Sequence, residues 1–173
     1  MKSQLNYHIR NPKKEEAQAI IDYLYQVSGE SDNLTFGQGE FEISVEKEME
    51  FIEKSNSDPN QLFLIAEFDD AIIAMMTFKA RERLRMKHYG EFGITVRKSY
   101  WGKGIGERLL KQLIDWAKAH EEIYKINLEV REDNAKAIQL YEKAGFKIEG
   151  KISRYMQIDN NFYAAFVMGL EID

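Results

Sequence analysis

The sequence predicts an α/β protein of the α+β kind, with a mixed, mostly antiparallel sheet of about seven strands flanked by about four helices. Three observations lead to this prediction. Hydrophobic side chains make up 44% of the 173 residues, which is enough for a sizeable core. Helical and strand periods alternate along the chain. Their order, β-α-α-β-β-β-α-β-α-β-β, differs from the regular alternation of a doubly wound sheet.

The first third of the chain is predicted to contain one short strand and two helices. The strand lies at residues 5–9, and Asn11 followed by Pro12 is typical of a helix N-cap and first helical position. Ser44 stands where it can cap the second helix. Residues 29–42 are rich in glycine and polar side chains, so they are predicted to form a long loop between the helices.

The middle of the chain changes from a helical to a strand period and back. Two β-rich runs at 62–68 and 72–79 flank Asp69 and Asp70, which indicate a hairpin turn. A third strand follows at 89–96. An apolar stripe then predicts a long helix that begins near Gly106, and a further strand follows it.

The last third is predicted to hold one helix and a final hairpin. Asp133 or Asn134 is placed to cap the helix, and Gly145 is placed to end it. Two strand-like runs at 146–158 and 162–172 are separated by a polar Asp-Asn-Asn turn. Because there are only two prolines and no flexible linker, one domain over residues 1–173 is expected.

Composition excludes several classes of function. The chain contains no cysteine, which rules out disulfides, a thiolate nucleophile and cysteine-ligated metals. His8, His88 and His120 lack metal-ligand spacing, so no metal site is expected. A net charge of -5 argues against nucleic-acid binding. The absence of a long apolar run and of a secretory signal near the amino terminus predicts a cytoplasmic protein that binds no membrane.

A glycine-rich loop at residues 102–106 precedes the long helix. Glycines at alternating positions can adopt positive φ and leave backbone N–H groups uncovered. At a helix N-terminus such groups form an anion site that suits a pyrophosphate, and Lys103 adds a positive charge. A tight strand-to-helix connection without a ligand is the alternative.

The segment 91–97, the loop 102–106 and the leucines at 109–110 together resemble the acyl-CoA-binding motif of the GNAT superfamily of N-acetyltransferases. Residues 130–146 resemble the second motif of that superfamily. The C-terminal hairpin is similar to that of the branch with ribosomal-protein and spermidine acetyltransferases. The resemblance implies the GNAT fold, in which two neighbouring parallel strands splay apart to form the CoA cleft.

The resemblance also implies acetyl-CoA as the cosubstrate and assigns residues to it. Backbone groups of Ile94, Thr95 and Val96 would bind the pantetheine arm. The pyrophosphate would lie on Gly102, Lys103, Gly104, Ile105 and Gly106. Asn134 matches a family asparagine that contacts the cofactor, although a helix cap explains it equally well. Trp101 departs from the family, which usually has Gln or Arg there, and an indole cannot copy a guanidinium's contacts with phosphate.

Two residues are candidates for proton transfer in the reaction that the resemblance implies. Tyr141 matches the tyrosine that lies near the thioester sulfur in many members, where a phenol can protonate the departing thiolate. Packing on the apolar helix face is the alternative. Glu91 is the candidate base for the attacking amine, and Glu129 is a weaker one. An ordinary solvent-exposed carboxylate is the alternative for Glu91.

The acceptor amine is not fixed by the sequence. Acidic residues at positions 30, 32, 40 and 42 favour a small cationic or amino-acid-like amine, and a protein N-terminus, as on ribosomal proteins, is the alternative. A non-catalytic acyl-CoA-binding regulatory domain is a further alternative, and a homodimer through the late strands stays open. The alternating basic run from Arg81 to Lys87 is interpreted as an exposed edge or turn rather than an anion site.

Overall fold

A computed structural model describes residues 5–173. Residues 1–4, at the start of the segment in which no secretory signal is predicted, lie outside the described residues. The strands are β1 His8–Arg10, β2 Gln61–Phe68, β3 Ala71–Ala80, β4 Tyr89–Val96, β5 Lys125–Arg131, β6 Lys147–Ile158 and β7 Asn161–Glu171. The α-helices are α1 Ala17–Ser28, α2 Val45–Ser57, α3 Ile105–Ala119 and α4 Ala135–Lys143.

The element order confirms the predicted fold class. The strands form one mixed, seven-stranded sheet in the order β1-β2-β3-β4-β5-β7-β6. The pair of β4 and β5 is parallel, whereas β5 with β7 and β6 with β7 are antiparallel. None of the helices in residues 5–173 is both long and apolar enough to cross a membrane.

The described chain divides into two compact units, and the boundaries between them fall within β3, β4 and α3. The first unit comprises residues 5–78 and 94–109, and the second comprises residues 79–93 and 110–173. In the first unit, α1 buries its apolar face against α2 and β2. Side chains at the centre of this core, such as Ile20, Ile52 and Ile65, have no exposed surface. The hydrophobic period of α1 therefore positions it against the sheet, as expected for a helix with one apolar face.

The predicted start of the first helix is wrong. The Asn11 side chain donates to the carbonyl of Phe63 at 2.8 Å instead of capping a helix. A short 3-10 turn at Lys14–Glu16 follows, and α1 begins only at Ala17. The local signal failed because the Asn11 carboxamide is oriented by a donor bond to a strand residue 52 positions away, which no local pattern indicates.

Both predicted hairpin turns are confirmed. Asp69 and Asp70 have φ angles of 50° and 57°, and Asp159 and Asn160 have 48° and 63°. Two successive residues with positive φ define the type I′ turn, whose twist matches the twist of the strands it joins. Asp and Asn tolerate this backbone region better than most residues, so the sequence signal has a direct structural cause.

The second unit is organised around β5. Its parallel pairing with β4 joins Tyr89 to Lys125 and ends at Glu91 and Asn127, whereas its pairing with β7 continues to the end of β5. The β6–β7 ladder is irregular between Ile152 and Met156. Irregularities of this kind re-aim side chains and are frequent beside functional sites.

A buried hydrogen bond in the first unit generates a stability prediction. Tyr23 on α1 is only 2% exposed, and its hydroxyl lies 2.8 Å from Oγ1 of Thr95 on β4. Tyr23→Phe leaves the Thr95 hydroxyl without this partner. We expect the free energy of unfolding to fall by about 1–2 kcal/mol and the Tm by about 2–8 °C.

Tyr25→Phe is the matched control, because Tyr25 lies on the same helix and is 57% exposed. Its Tm, measured by calorimetry or circular dichroism, should equal that of the unmodified protein. Equal melting of the two variants would show that the Tyr23–Thr95 bond does not stabilise the first unit.

Candidate active site

The glycine loop in the first unit adopts the backbone conformation that the sequence predicts. Gly102 and Gly104 have φ angles of 72° and 79°. A Cβ at either position would meet no heavy atom within 4 Å, so the backbone conformation rather than crowding calls for glycine. Helix α3 begins directly afterwards at Ile105. The first N–H groups of a helix have no partner within it, so this end of α3 can accept an anion.

Lys103 of this loop and Trp101, which directly precedes it, have partners within the first unit. The Lys103 ammonium lies 4.8 Å from the centre of the Tyr100 ring, a cation–π distance. The Trp101 indole N–H donates to the carbonyl of Val96 at 2.7 Å, while the side chain stays 44% exposed. Trp101 therefore holds the end of β4 to the loop that follows it. This contact is a physical role for the residue that departs from the family pattern.

The end of β4 in the first unit is half-buried. Ile94, Thr95 and Val96 are all of intermediate exposure. The Thr95 hydroxyl forms a hydrogen bond with Tyr23, while the sequence assigns the backbone groups of Thr95 to a ligand. The Val96 carbonyl accepts from Trp101 and retains a second lone pair for another donor.

The acidic loop of the first unit is largely engaged. The Glu30 carboxylate lies 2.9 Å from Nε of Arg97 and accepts the backbone N–H of Lys98 at 2.7 Å. The Glu40 carboxylate accepts the backbone N–H of Gly37 at 2.6 Å. The contacts of Glu30 link residues far apart in the sequence, and no local pattern indicates them. Two of the four acidic residues that suggested a cationic acceptor therefore hold the loop together.

Tyr141 in the second unit is buried on α4 and packs against aromatic rings. Its ring lies 5.8 Å from that of Phe92 on β4, at an interplanar angle of 81°, and 6.0 Å from that of Phe146. Burial raises the pKa of Tyr141 to about 12, because the phenolate loses its hydration. The phenol is therefore protonated throughout the ordinary assay range and can act as a hydrogen-bond donor.

Glu91 in the second unit faces away from that aromatic cluster. Phe92 is buried, whereas Glu91 and Gly93 are exposed, because successive side chains of a strand point to opposite faces of the sheet. The Glu91 carboxylate forms an ion pair with Arg81. Both side chains of this pair are close to half exposed, so the pair contributes little to stability and can open.

Asn134 in the second unit is the N-cap of α4. Its Oδ1 accepts the backbone N–H of Ala137 at 3.3 Å. The cap interpretation of Asn134 is thus confirmed. Since the cap uses only the oxygen of the carboxamide, the Nδ2 group remains a possible donor to a ligand.

A contact of Glu129 was not foreseen from the sequence. The Tyr155 hydroxyl donates to the Glu129 carboxylate. Burial, this carboxylate and the charge of Glu91 raise the pKa of Tyr155 well above its usual range. Tyr155 lies in the irregular stretch of β6, where strand periodicity does not predict the direction of a side chain.

The predicted site residues fall into two groups. The first unit holds Ile94, Thr95, Val96 and the loop from Gly102 to Gly106, and the second unit holds Glu91, Asn134 and Tyr141. Within the second unit, Glu91 and Tyr141 are linked through Phe92, the neighbour of one and the ring partner of the other. No group of three or more His, Cys, Asp or Glu side chains in residues 5–173 could hold a metal ion.

Comparison with known proteins gives consistent matches. A profile described as the acetyltransferase (GNAT) family matches residues 23–146. The crystal structure of an acetyltransferase of the GNAT family from Streptococcus pneumoniae is 31% identical, with a TM-score of 0.93. The alignment covers 96% of this chain and 100% of that one. A structural match of this quality extends the similarity beyond the sequence motifs to the whole described fold.

Two curated relatives match over shorter segments. The L-amino acid N-acetyltransferase AaaT of Escherichia coli is 30% identical over 105 residues, which are 61% of this chain and 65% of AaaT. The spermidine N(1)-acetyltransferase of Escherichia coli is 35% identical over 78 residues, which are 45% of this chain and 42% of the relative. The matched segments thus span less than two thirds of either relative.

The positive φ angles of the glycine loop generate a second prediction. Gly104→Ala places a Cβ on a residue with φ of 79°, which costs about 1–2 kcal/mol in the left-handed region. We expect a lower Tm by thermal melting. Gly150→Ala is the control, since a Cβ there also meets nothing within 4 Å but its φ is not positive. A Gly104→Ala variant as stable as Gly150→Ala would contradict the loop conformation.

Proposed function

The chain belongs to the acetyltransferase (GNAT) family, and from this premise we propose that it is an acetyl-CoA-dependent N-acetyltransferase. The attacking primary amine forms a bond to the thioester carbonyl carbon, the carbon–sulfur bond breaks, and CoA leaves as the thiolate. The glycine loop at the start of α3 is the observation that carries this proposal, because it has an anion-binding conformation where the family binds its cosubstrate.

Binding of acetyl-CoA is assigned to backbone groups in the first unit. The N–H groups of residues 102–106 and the positive end of α3 suit the pyrophosphate. Lys103 adds a cation whose position over Tyr100 keeps it at the loop. Ile94, Thr95 and Val96 offer backbone groups to the amides of the pantetheine arm, which would add to β4 as an extended strand.

Asn134 donates to the cosubstrate through Nδ2 in this proposal. Its Oδ1 is committed to the cap of α4, so the carboxamide has a fixed orientation. A donor with a fixed orientation costs less entropy on binding than a free side chain does.

Tyr141 serves as the proton donor to the departing sulfur. Its pKa of about 12 lies above the value of ~8.5 for an ordinary thiol, so complete transfer from an isolated phenol is uphill by about 5 kcal/mol. The main contribution of Tyr141 is therefore a hydrogen bond to the sulfur while negative charge develops there. Hydrogen bonds to charged groups contribute about 1.5–3 kcal/mol.

Glu91 serves as the base, directly or through water, that takes the proton from the acceptor ammonium. The pKa of an alkyl ammonium is ~10, so most of the amine carries a proton at neutral pH. Glu91 is exposed on the face of β4 opposite to Phe92, where an acceptor can approach it. Glu129, which already accepts from Tyr155, is the alternative base.

The acceptor is a small amine, either cationic or amino-acid-like. The chain is similar to an L-amino acid acetyltransferase and to a spermidine acetyltransferase. Because the names of these two relatives give different acceptors, both acceptor classes are proposed. A protein N-terminus is the second candidate.

Binding and turnover provide the test of this proposal. Acetyl-CoA should raise the Tm of the full chain, and free CoA should appear when a suitable amine is added. Tyr141→Phe should keep the thermal shift and reduce kcat by about 10–100-fold, the effect of one hydrogen bond to a developing charge. Glu91→Gln should also bind and lose turnover. Tyr124→Phe, at an exposed tyrosine of the same unit, should behave like the unmodified protein.

Three outcomes would contradict parts of the proposal. No thermal shift with acetyl-CoA or CoA at millimolar concentration would remove the cosubstrate assignment. Binding without turnover over a broad amine panel would favour a regulatory acyl-CoA-binding domain. Full activity of Tyr141→Phe would remove the donor role of Tyr141.

A further inference from the structure

A pocket of about 550 Å³ opens in the second unit beside Glu91. Its wall is formed by the end of β3 and by the turn that leads into β4. The charged residues that line it are Lys79, Arg81, Glu82, Arg83 and Glu91. The candidate base therefore lies in a pocket with three cations and two carboxylates, and the basic run interpreted from the sequence as an exposed turn provides two of those cations.

Two of the three cations in the pocket form ion pairs within the described residues, and the third does not. The Lys79 ammonium lies 2.9 Å from the Glu82 carboxylate, and Arg81 pairs with Glu91. Arg83 forms no ion pair or side-chain hydrogen bond with any of the residues 5–173. It is exposed and lines the same pocket as Glu91. A guanidinium without a partner presents a planar pair of N–H donors, which fits a carboxylate.

The Arg81–Glu91 pair leaves Glu91 available to an acceptor. Exposed ion pairs contribute about 0–1 kcal/mol, so an incoming ammonium can replace Arg81 at the carboxylate. Arg81 also lies 5.8 Å from the centre of the Tyr89 ring, which keeps its positive charge near the pocket after the exchange. The pocket then offers one negative and at least one positive group to the same molecule.

We propose that Arg83 binds a carboxylate of the acceptor, so that the acceptor is an α-amino acid or another amine with a nearby carboxylate. This inference rests on the proposed acetyltransferase function and chooses within its acceptor classes. Glu91 receives the ammonium, and Arg83 receives the carboxylate of the same zwitterion.

Polycationic amines fit this pocket poorly. Arg83 is exposed and Arg81 lines the same pocket, so a second positive charge on the acceptor is repelled. The acidic groups that favoured a polycation from the sequence do not offset this, because Glu30 and Glu40 bind backbone and side-chain donors of their own unit. A peptide N-terminus lacks a carboxylate close to its amine and gains nothing from Arg83.

The test compares matched acceptors and matched variants of the full chain. L-amino acids with neutral side chains are each compared with the corresponding amide and with the decarboxylated amine, alongside spermidine and a short peptide. For the unmodified protein we expect kcat/KM to be roughly tenfold or more higher for the amino acid than for either analogue. Arg83→Gln should raise the KM for the amino acid roughly tenfold or more, with little change in kcat and none for the analogues.

Arg85→Gln is the control, because Arg85 is an exposed arginine of the same turn that does not line the pocket. It should leave all constants unchanged. Arg83 could instead bind a phosphate of the cosubstrate, and the KM for acetyl-CoA distinguishes this case. If Arg83→Gln raises that constant instead, and the effect disappears with 3′-dephospho-acetyl-CoA, Arg83 binds a cosubstrate phosphate and the inference is overturned.

The outcomes also separate this inference from the proposed function. Acetylation of spermidine or the peptide in preference to every amino acid keeps the acetyltransferase proposal and overturns the carboxylate inference. Acetylation of amino acids that is unaffected by Arg83→Gln also keeps the acetyltransferase proposal and overturns the carboxylate inference. Failure of acetyl-CoA to bind overturns both.

Discussion

The contact of Phe92 with Tyr141 is the constraint on which the second unit depends. It packs α4 against β4, with the rings 5.8 Å apart, and Phe146 completes the cluster. The cluster removes the Tyr141 phenol from water and so raises its pKa to about 12. Because neighbouring residues of a strand face opposite ways, the burial of Phe92 also sends Glu91 to the other face of the sheet. One packing contact thus sets the environment of both residues proposed to move protons.

Opposite faces suit the proposed reaction. In the transfer of an acetyl group, the amine first adds to the planar carbonyl carbon, and the sulfur then departs from the tetrahedral intermediate. A base on the exposed face of β4 and a donor in the buried cluster would serve these two events separately. The registered pairs of β4 with β5 in the second unit end at Glu91 and Asn127, so Glu91 lies where the parallel pairing stops.

Local signals predicted much of this fold, and contacts between distant residues account for what they missed. Ser44 and Asn134 are caps as expected, because a cap bond closes within one helical turn. Asn11 shows the same signal, but its amide bonds to Phe63, which is 52 positions away. For the site, the motifs indicated the glycine loop and Tyr141, whose ring partners Phe92 and Phe146 each belong to one of the two motifs. The partner of Glu91, which comes from the preceding strand end, had no such signal.

The net charge of the chain does not describe the charge that a ligand meets in the pocket. The net charge of -5 describes the whole molecule, whereas an acceptor in the pocket interacts mainly with groups within a Debye length of roughly 8 Å at physiological salt. At that range, existing partners decide which charges are available. Glu30 is committed to Arg97, while Arg83 has no counterion among the described residues. An acidic protein can therefore present a pocket that selects for a carboxylate, because pairing, and not the total charge, determines what a ligand meets.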